Sequence, residues 1–124
     1  MSTITFEAFQ QYVAEALETL PEEIRQVMEN VVVTVALYPT EEQKRSVGLQ
    51  AGQSLYGLYQ GVPLTQRTSF YGMVPPDRIT IFMYPMVYHF PTPEQIRQQV
   101  RKTVLHEIGH HFGMSEARLR ALGY

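Results

Sequence analysis

The sequence contains no cysteine and no tryptophan among its 124 residues. The absence of cysteine excludes disulfide bonds and any metal site built on thiolates. It fits a reducing compartment, and we expect a cytoplasmic protein. Basic residues are also few, because ten Lys and Arg stand against twelve Asp and Glu, a formal net charge of −2. With no basic excess to attract phosphates, we expect no nucleic-acid partner.

Long apolar runs are absent as well. No stretch approaches the roughly 20 residues that a membrane-spanning helix needs. Residues 1–5 lack the basic segment and apolar run of a signal peptide, so we expect no membrane contact. No repeat or low-complexity tract divides the chain, and 124 residues with 44% hydrophobic content are enough for one core. The sequence predicts a single domain, residues 1–124.

The most informative feature that is present is the pentapeptide His106-Glu107-Ile108-Gly109-His110. On a helix, residues four apart lie on one face, so two imidazoles at this spacing can bind one metal ion without bending the backbone. Glu107 follows the first histidine and leans toward the same side, where it can take a proton from a metal-activated water. The pattern predicts two metal ligands, His106 and His110, and a general base, Glu107.

The surrounding sequence indicates that this motif ends a strong helix. Thr92 is typical of an N-cap, with Pro93 at the first helical position and Gln95 completing a capping box. Apolar residues then recur every four positions and predict a buried stripe: Ile96, Val100, Val104, Ile108 and Phe112. The alternative, two core histidines and a surface glutamate, would place Glu107 close to this stripe and in need of a partner.

The residues that follow extend the motif to H-E-x-x-H-x-x-G-x-x-E, which ends at Glu116. Gly113 suits a left-handed helix end, and it allows the chain to turn so that Glu116 can return to the metal. Catalytic zinc usually has three protein ligands, so we expect Zn²⁺ on His106, His110 and Glu116. The alternative is that Glu116 only favours the N-terminus of a last helix capped by Ser115.

The extended motif resembles that of the metzincin metalloproteases, in which the last position is His or, in some members, Asp. Those proteins also have a methionine turn beneath the metal. Here eight residues follow Glu116 and none is methionine, while Met114 lies inside the motif. We therefore expect the floor of the metal site to come from elsewhere or to be less supported.

Three segments, in order, resemble the bacterial Zincin_1 family, small proteins described as metallopeptidases. They are residues 55–65 (LYGLYQGVPLT), 76–82 (PDRITIF) and 104–113 (VLHEIGHHFG), and the resemblance runs from about Leu17 to the end. It implies a minimal zincin-like α+β fold, in which a small mixed sheet packs on helices that include the H-E-x-x-H helix. It also implies a zinc site and, more weakly, peptidase activity on a peptide or protein substrate.

Hydrophobic spacing, caps and turn residues predict the remaining elements. They are a helix from Thr5 to Leu20, a short helix from Pro21, a buried strand 31–37, a brief helix opened by a capping box at 40–43, a turn at 75–77, a strand 78–84, a loop 85–91 that contains His89, and a last helix to Leu122.

The segment 55–61 is the candidate edge strand of the cleft. Its glycines, Gly57 and Gly61, favour an edge position or a close backbone approach. We expect Gly57, Leu58 and Tyr59 to bind an extended peptide by strand addition.

Two other residue types have open roles. A tyrosine could stabilise the oxyanion, and the candidates are Tyr56, Tyr59, Tyr71, Tyr84 and Tyr88. His111 turns about 100° away from His110 into the apolar stripe, so we expect a buried histidine that does not bind the metal and is hydrogen-bonded by one nitrogen.

The leading hypothesis is a zinc-dependent metallopeptidase. One alternative is a non-catalytic metal-binding module that binds a partner protein, which would not need Glu107 as a base. The other is a metal-dependent RNA-processing hydrolase, which would use a third histidine and which the acidic balance disfavours.

Overall fold

The computed structural model describes residues 4–20, 22–26, 28, 31–50, 52–61 and 77–121, without the side chains of residues 23, 24, 116 and 119. These residues form helices and strands in the order α1 (Phe6–Glu18), α2 (Glu22–Gln26), β1 (Val31–Ala36), α3 (Glu41–Ser46), β2 (Gly57–Gln60), β3 (Asp77–Phe82), α4 (Met83–His89), α5 (Pro93–His111) and α6 (Glu116–Ala121). Within the described residues, no helix is both long and apolar enough to cross a membrane.

The three strands form one mixed sheet in the order β1-β3-β2. β1 runs parallel to β3, with Val31 opposite Asp77, and β2 runs antiparallel to it, with Gly57 opposite Ile81. Among the described strands β2 therefore lies at an edge, as its glycines predicted. The mixed sheet and the surrounding helices confirm the predicted α+β class.

The core lies between the sheet and the helices α1, α4 and α5. α5 packs against α1, β2, β3 and α4, and four residues of its predicted stripe are buried, with Ile96, Val100 and Val104 fully enclosed and Ile108 3% exposed. Burial of each aliphatic side chain contributes about 1.5–3 kcal/mol, so this stripe fixes α5 on the sheet. Phe112, the last member of the stripe, follows the helix and is only half-buried.

Both ends of α5 form as the sequence predicts. Thr92 and Gln95 make the reciprocal bonds of a capping box, with Pro93 in the first turn. At the other end Gly113 has φ +82°, and its N–H donates to the carbonyl of His110 at 2.9 Å. Only a residue without a Cβ adopts this conformation at little cost, so the chain reverses directly after the helix.

The structure contradicts the predicted loop 85–91, because α4 begins immediately after β3 and ends at His89. Pro85 is the third residue of α4, where a backbone N–H has no intrahelical partner, so proline is tolerated there. Met83, Met86 and Val87 are buried, and their spacing is helical. The predicted strand 78–84 accordingly stops at Phe82, and His89 is the last residue of a helix.

The prediction that 31–37 is a buried strand is wrong in its burial. β1 ends at Ala36, Val32 is 37% exposed and Leu37 44% exposed. The reason is the strand order. Among the described strands β3 lies at the centre of the sheet, and β1 lies at an edge with β3 as its one neighbour, so β1 is covered less than a central strand. The predictions at Pro21, at 75 and 76 and at Leu122 fall outside the described residues, while Asp77 begins β3.

β2 and α5 approach closely at Gly57. A Cβ placed on Gly57 would lie 2.6 Å from Cγ2 of Thr103 and 3.2 Å from Cγ of Glu107. Real side-chain atoms do not approach so closely, so only glycine allows this contact. The close backbone approach that the sequence suggested therefore occurs between the edge strand and the motif helix.

A buried polar cluster joins β2 and β3 to the end of α5. The Asp77 carboxylate accepts a hydrogen bond from the hydroxyl of Tyr59 at 2.6 Å and lies 2.9 Å from Nδ1 of His111. Asp77 is 1% exposed and His111 is fully buried. A Cβ on Gly61 would overlap this carboxyl group, so Gly61 makes room for it. His111 is thus buried and bonded through one nitrogen, as predicted, and its Nε2 has no partner among the described residues.

The substitution Gly57→Ala tests the close approach. We expect it to lower the free energy of unfolding by about 1–3 kcal/mol, because the added methyl group overlaps Thr103. Adding Thr103→Ser removes the Cγ2 atom and should recover most of the loss. Chemical denaturation of both variants, with Thr103→Ser alone as the control, measures this. An unchanged stability in Gly57→Ala would contradict the contact.

His111→Phe tests the buried cluster. The phenyl ring leaves the buried Asp77 carboxylate without its histidine, so we expect a loss of about 3 kcal/mol in the stability of the metal-free protein. Zinc affinity should change less than stability, because His111 faces away from the cleft. His89→Phe, at an exposed histidine that loses one hydrogen bond, to Tyr56, is the control and should cost only about 1 kcal/mol. Lost zinc binding at unchanged stability would make His111 a ligand.

Candidate metal centre

His106 and His110 face each other on successive turns of α5. Their Nε2 atoms lie 3.2 Å apart, and their ring centroids are separated by 4.9 Å. Both side chains are half-buried. The helical spacing that the sequence predicted thus brings two imidazole nitrogens to one point at the surface of the cleft.

Glu107 lies beside the two histidines. One ligand atom from each of His106, Glu107 and His110 falls within 4.8 Å of the others. The Glu107 side chain is 7% exposed but lines the same cleft as the histidines. This placement differs from the alternative of a surface glutamate. A buried carboxylate needs a polar or charged partner. The imidazoles of His106 and His110 lie so close that a partner bound to them could also serve Glu107.

The arrangement of the donor atoms fits zinc. Two nitrogens bound at about 2.0–2.1 Å in a tetrahedral site lie about 3.3 Å apart, and the observed Nε2 separation is 3.2 Å. Imidazole and carboxylate are also donor types that zinc accepts in hydrolytic enzymes. The donor atoms of His106, His110 and Glu107 therefore fit the zinc ion that the sequence predicted.

The cleft in front of these residues has a volume of about 470 Å³. One wall is α5 with His106, Glu107 and His110, and the opposite wall is β2. The residues predicted to bind substrate, Gly57, Leu58 and Tyr59, all line it. The structure therefore brings the predicted edge strand and the predicted metal ligands of α5 together.

Leu55, the first residue of the predicted edge segment, also lines the cleft. Val47 and Met114 line it too, and the sequence did not indicate either of them as part of the site. Val47 directly follows α3, far from the motif in sequence, and is 46% exposed. No local pattern in the sequence indicates this role.

The third predicted ligand, Glu116, begins α6, and its side chain is outside the described part of the structure. Its surroundings are described. Gly113 makes the expected turn, and the Ser115 hydroxyl accepts a hydrogen bond from the N–H of Arg118 at 3.2 Å. Ser115 thus caps α6, as predicted, and its hydroxyl is engaged there.

Two of the candidate oxyanion tyrosines lie near the motif helix. Tyr59 lines the cleft, but its hydroxyl donates to Asp77. Tyr56 lines a smaller recess beside Glu107 and lies with its hydroxyl 2.7 Å from Nδ1 of His89. Burial raises the pKa of the Tyr56 hydroxyl above its ordinary value. Both hydroxyls are therefore already engaged. Tyr71 falls outside the described residues.

Asp77 is the buried charged residue that the sequence does not reveal. Its neighbours predict a turn, whereas Asp77 begins the central strand and holds His111. The two residues are 34 positions apart, so no local pattern connects them.

The fold is similar to that of a solved structure, a conserved hypothetical protein from Thermo thermophilus. That protein shares 23% sequence identity with this chain and superposes with a TM-score of 0.60. The match covers 88% of this chain and 94% of that one. At this identity the likeness concerns the fold alone. No curated protein matches the sequence significantly.

The sequence also matches a family model described as zincin-like metallopeptidase, over residues 28–124. The matched region contains the whole sheet, the cleft and the motif helix. With the α+β fold and the cluster His106, Glu107 and His110 in place, the resemblance noted in the sequence is confirmed. The chain belongs to the zincin-like metallopeptidase family.

Proposed function

We propose that the protein is a zinc-dependent peptidase whose general base is Glu107. The observation that carries the proposal is the position of this carboxylate. It is almost completely buried, yet it lines a cleft between β2 and the two histidines that we expect to bind the metal. A site that only stores a metal has no need of a carboxylate placed toward open space beside the ligands.

His106 and His110 would hold the zinc, with Glu116 as the proposed third ligand. Their Nε2 atoms already have the separation that a tetrahedral site needs. A bound zinc would supply two effects, acidification of a water molecule and polarisation of the substrate carbonyl. The chain's own residues supply the rest of the chemistry.

Glu107 acts as the proton carrier. Its carboxylate accepts a proton from the attacking water, and the oxygen of that water forms a bond to the peptide carbonyl carbon. As the C–N bond breaks, Glu107 returns the proton to the leaving amine. The partial burial of the cleft wall strengthens these electrostatic interactions, because less water screens them.

β2 would hold the substrate. A peptide in extended conformation can add to the edge of β2 and form backbone hydrogen bonds with Gly57 and Tyr59, because the backbone groups of Tyr56 and Leu58 face β3. Leu58 lines the cleft between them. Gly57 sets the position of this edge, since it packs directly on Thr103 and Glu107. A carbonyl group of the added strand would then lie in front of Glu107.

The two alternatives have less support. A non-catalytic module would keep the histidines but has no role for Glu107. An RNA hydrolase needs cations along its substrate path, and none of the described residues that line the cleft is Lys or Arg. Incubation with a peptide library and with RNA, each with and without a chelator, separates the three functions.

Glu107→Gln is the sharpest test of the mechanism. We expect the variant to bind zinc like the parent and to lose hydrolysis by about a hundredfold or more, because the amide keeps the shape but cannot accept the proton. Glu94→Gln, in the first turn of the same helix and exposed, is the matched control and should keep full activity. A Glu107→Gln protein as active as the parent would eliminate the mechanism.

Glu116→Ala and Glu116→His test the third ligand. If the carboxylate binds zinc, Ala should weaken zinc affinity by at least about tenfold, and His should restore it. A zinc titration with a competing chelator measures both. If Ala binds zinc as tightly as the parent, Glu116 serves only the N-terminus of α6, where an acidic residue contributes about 0.3–1 kcal/mol.

A further inference from the structure

A second recess lies beyond the N-terminal end of β2. It has a volume of about 400 Å³ and we call it the tyrosine recess. Its lining includes the aromatic and proline side chains of Tyr38, Pro39, Pro85, Tyr88 and His89, together with the apolar Leu49 and Leu55 and the polar Glu41, Lys44, Gln53 and Ser54. None of the catalytic chemistry proposed above uses these residues.

Three tyrosines at this recess hold one another in place. The hydroxyls of Tyr38 and Tyr88 are 2.6 Å apart, and the rings of Tyr84 and Tyr88 stack at 5.8 Å between centroids. The ring of Tyr38 also contacts that of Tyr84, at 4.9 Å. Yet Tyr38 is 53% exposed and Tyr88 59% exposed. The chain thus presents fixed aromatic faces to solvent, and a ligand that covers them would not have to order them first.

The charges at the recess are mutually neutralised. Nζ of Lys44 lies 2.8 Å from the carboxylate of Glu41, and this hydrogen bond holds the pKa of Glu41 below its ordinary value. The hydrogen bond with Tyr88 raises the pKa of the Tyr38 hydroxyl above its ordinary value. A neutral, flat side chain fits this surface better than a charged one.

The tyrosine recess adjoins the metal cleft. Leu55 lines the cleft, the smaller recess beside Glu107 and the tyrosine recess. Tyr56 lines the smaller recess and His89 lines the tyrosine recess, and the hydroxyl of Tyr56 lies 2.7 Å from Nδ1 of His89. The N–H of Phe82 donates to the carbonyl of Tyr56 at 2.9 Å. The residue before β2 therefore still pairs with the end of β3, and the strand edge extends toward Leu55. Two residues of strand cover about 7 Å, so a peptide beside Gly57 reaches the recess within a few residues.

We propose that the tyrosine recess binds an aromatic side chain of the peptide substrate, on the C-terminal side of the scissile bond. The inference rests on the proposed peptidase function. A peptide that adds antiparallel to β2 runs from Gln60 toward Gly57 and Leu55, so its C-terminal part points to the recess. The side chain is Phe, Tyr or Trp, about two to four residues after the bond that is cut, because these rings can pack offset against Tyr38 and Tyr88.

A binding experiment tests the recess without relying on hydrolysis. The chain has no tryptophan, so the fluorescence of a peptide that contains one Trp reports the peptide alone when it is excited beyond the tyrosine absorption band. The Trp peptide is titrated with zinc-loaded Glu107→Gln protein, and its Ala counterpart competes with it. We expect the Trp peptide to bind about threefold to tenfold more tightly. Equal affinities would overturn the proposal.

Substitutions at Tyr88 locate the binding. Added to the same protein, Tyr88→Ser should remove the preference for Trp, while Tyr88→Phe keeps the ring and should retain it within about twofold. Tyr88→Ser also removes the ring contacts with Tyr38 and Tyr84, so its unfolding midpoint is measured alongside, and we expect the midpoint to fall while the protein stays folded at the assay temperature. A preference for Trp that survives Tyr88→Ser would place the aromatic side chain elsewhere and contradict the proposal.

Cleavage of a peptide library by the parent protein distinguishes the two proposals. We expect aromatic residues to be enriched two to four positions after the cleaved bond, and the enrichment to be lost in Tyr88→Ser. Cleavage without this enrichment overturns the subsite and leaves the peptidase. Selective binding of the Trp peptide without any cleavage contradicts the peptidase and leaves the recess as a peptide-binding surface.

Discussion

The direct packing of α5 on the edge strand is the constraint on which the rest of the site depends. At Gly57 the backbone of β2 approaches Thr103 and Glu107 so closely that no side chain fits between them. The buried stripe of α5 holds the helix at that distance. As a result the outer face of the last helical turns, with His106 and His110, opens onto a cleft whose other wall is β2.

The buried cluster at Asp77 secures the opposite side of the same helix. Its carboxylate joins the edge strand through Tyr59, the central strand through its own backbone and the end of α5 through His111. A buried, hydrogen-bonded polar pair adds little net stability compared with apolar packing, but loss of one partner is costly. The cluster therefore specifies the rotation of the helix end, since His111 pointing inward leaves His110 pointing toward the cleft.

Local patterns predicted much of this architecture. The capping boxes at Thr40 and Thr92, the turn at Gly113 and the spacing of His106 and His110 are all short-range features, and each occurs as expected. The edge position of β2 followed from its glycines. These predictions succeed because the interactions that determine them lie within a few residues of sequence.

The errors have a common origin in longer-range structure. Two prolines suggested a loop at 85–91, whereas burial of Met83, Met86 and Val87 stabilises a helix that accommodates Pro85 in its first turn. The exposure of β1 depends on which strand occupies the centre of the sheet, and the contact of Asp77 with His111 depends on how β3 meets α5. The tyrosine recess likewise brings together residues near 38, 55 and 88. Periodicity within a segment contains no information on such pairings.

The central claim is that His106, Glu107 and His110 form the active site of a zinc hydrolase. Elemental analysis of the protein purified without added metal tests it most directly, alongside a His106→Ala, His110→Ala variant prepared in the same way. The account predicts about one zinc per chain in the parent, as a single catalytic site requires, and none in the variant. A parent protein without zinc that also fails to bind added zinc, or a variant that retains it, would contradict the account.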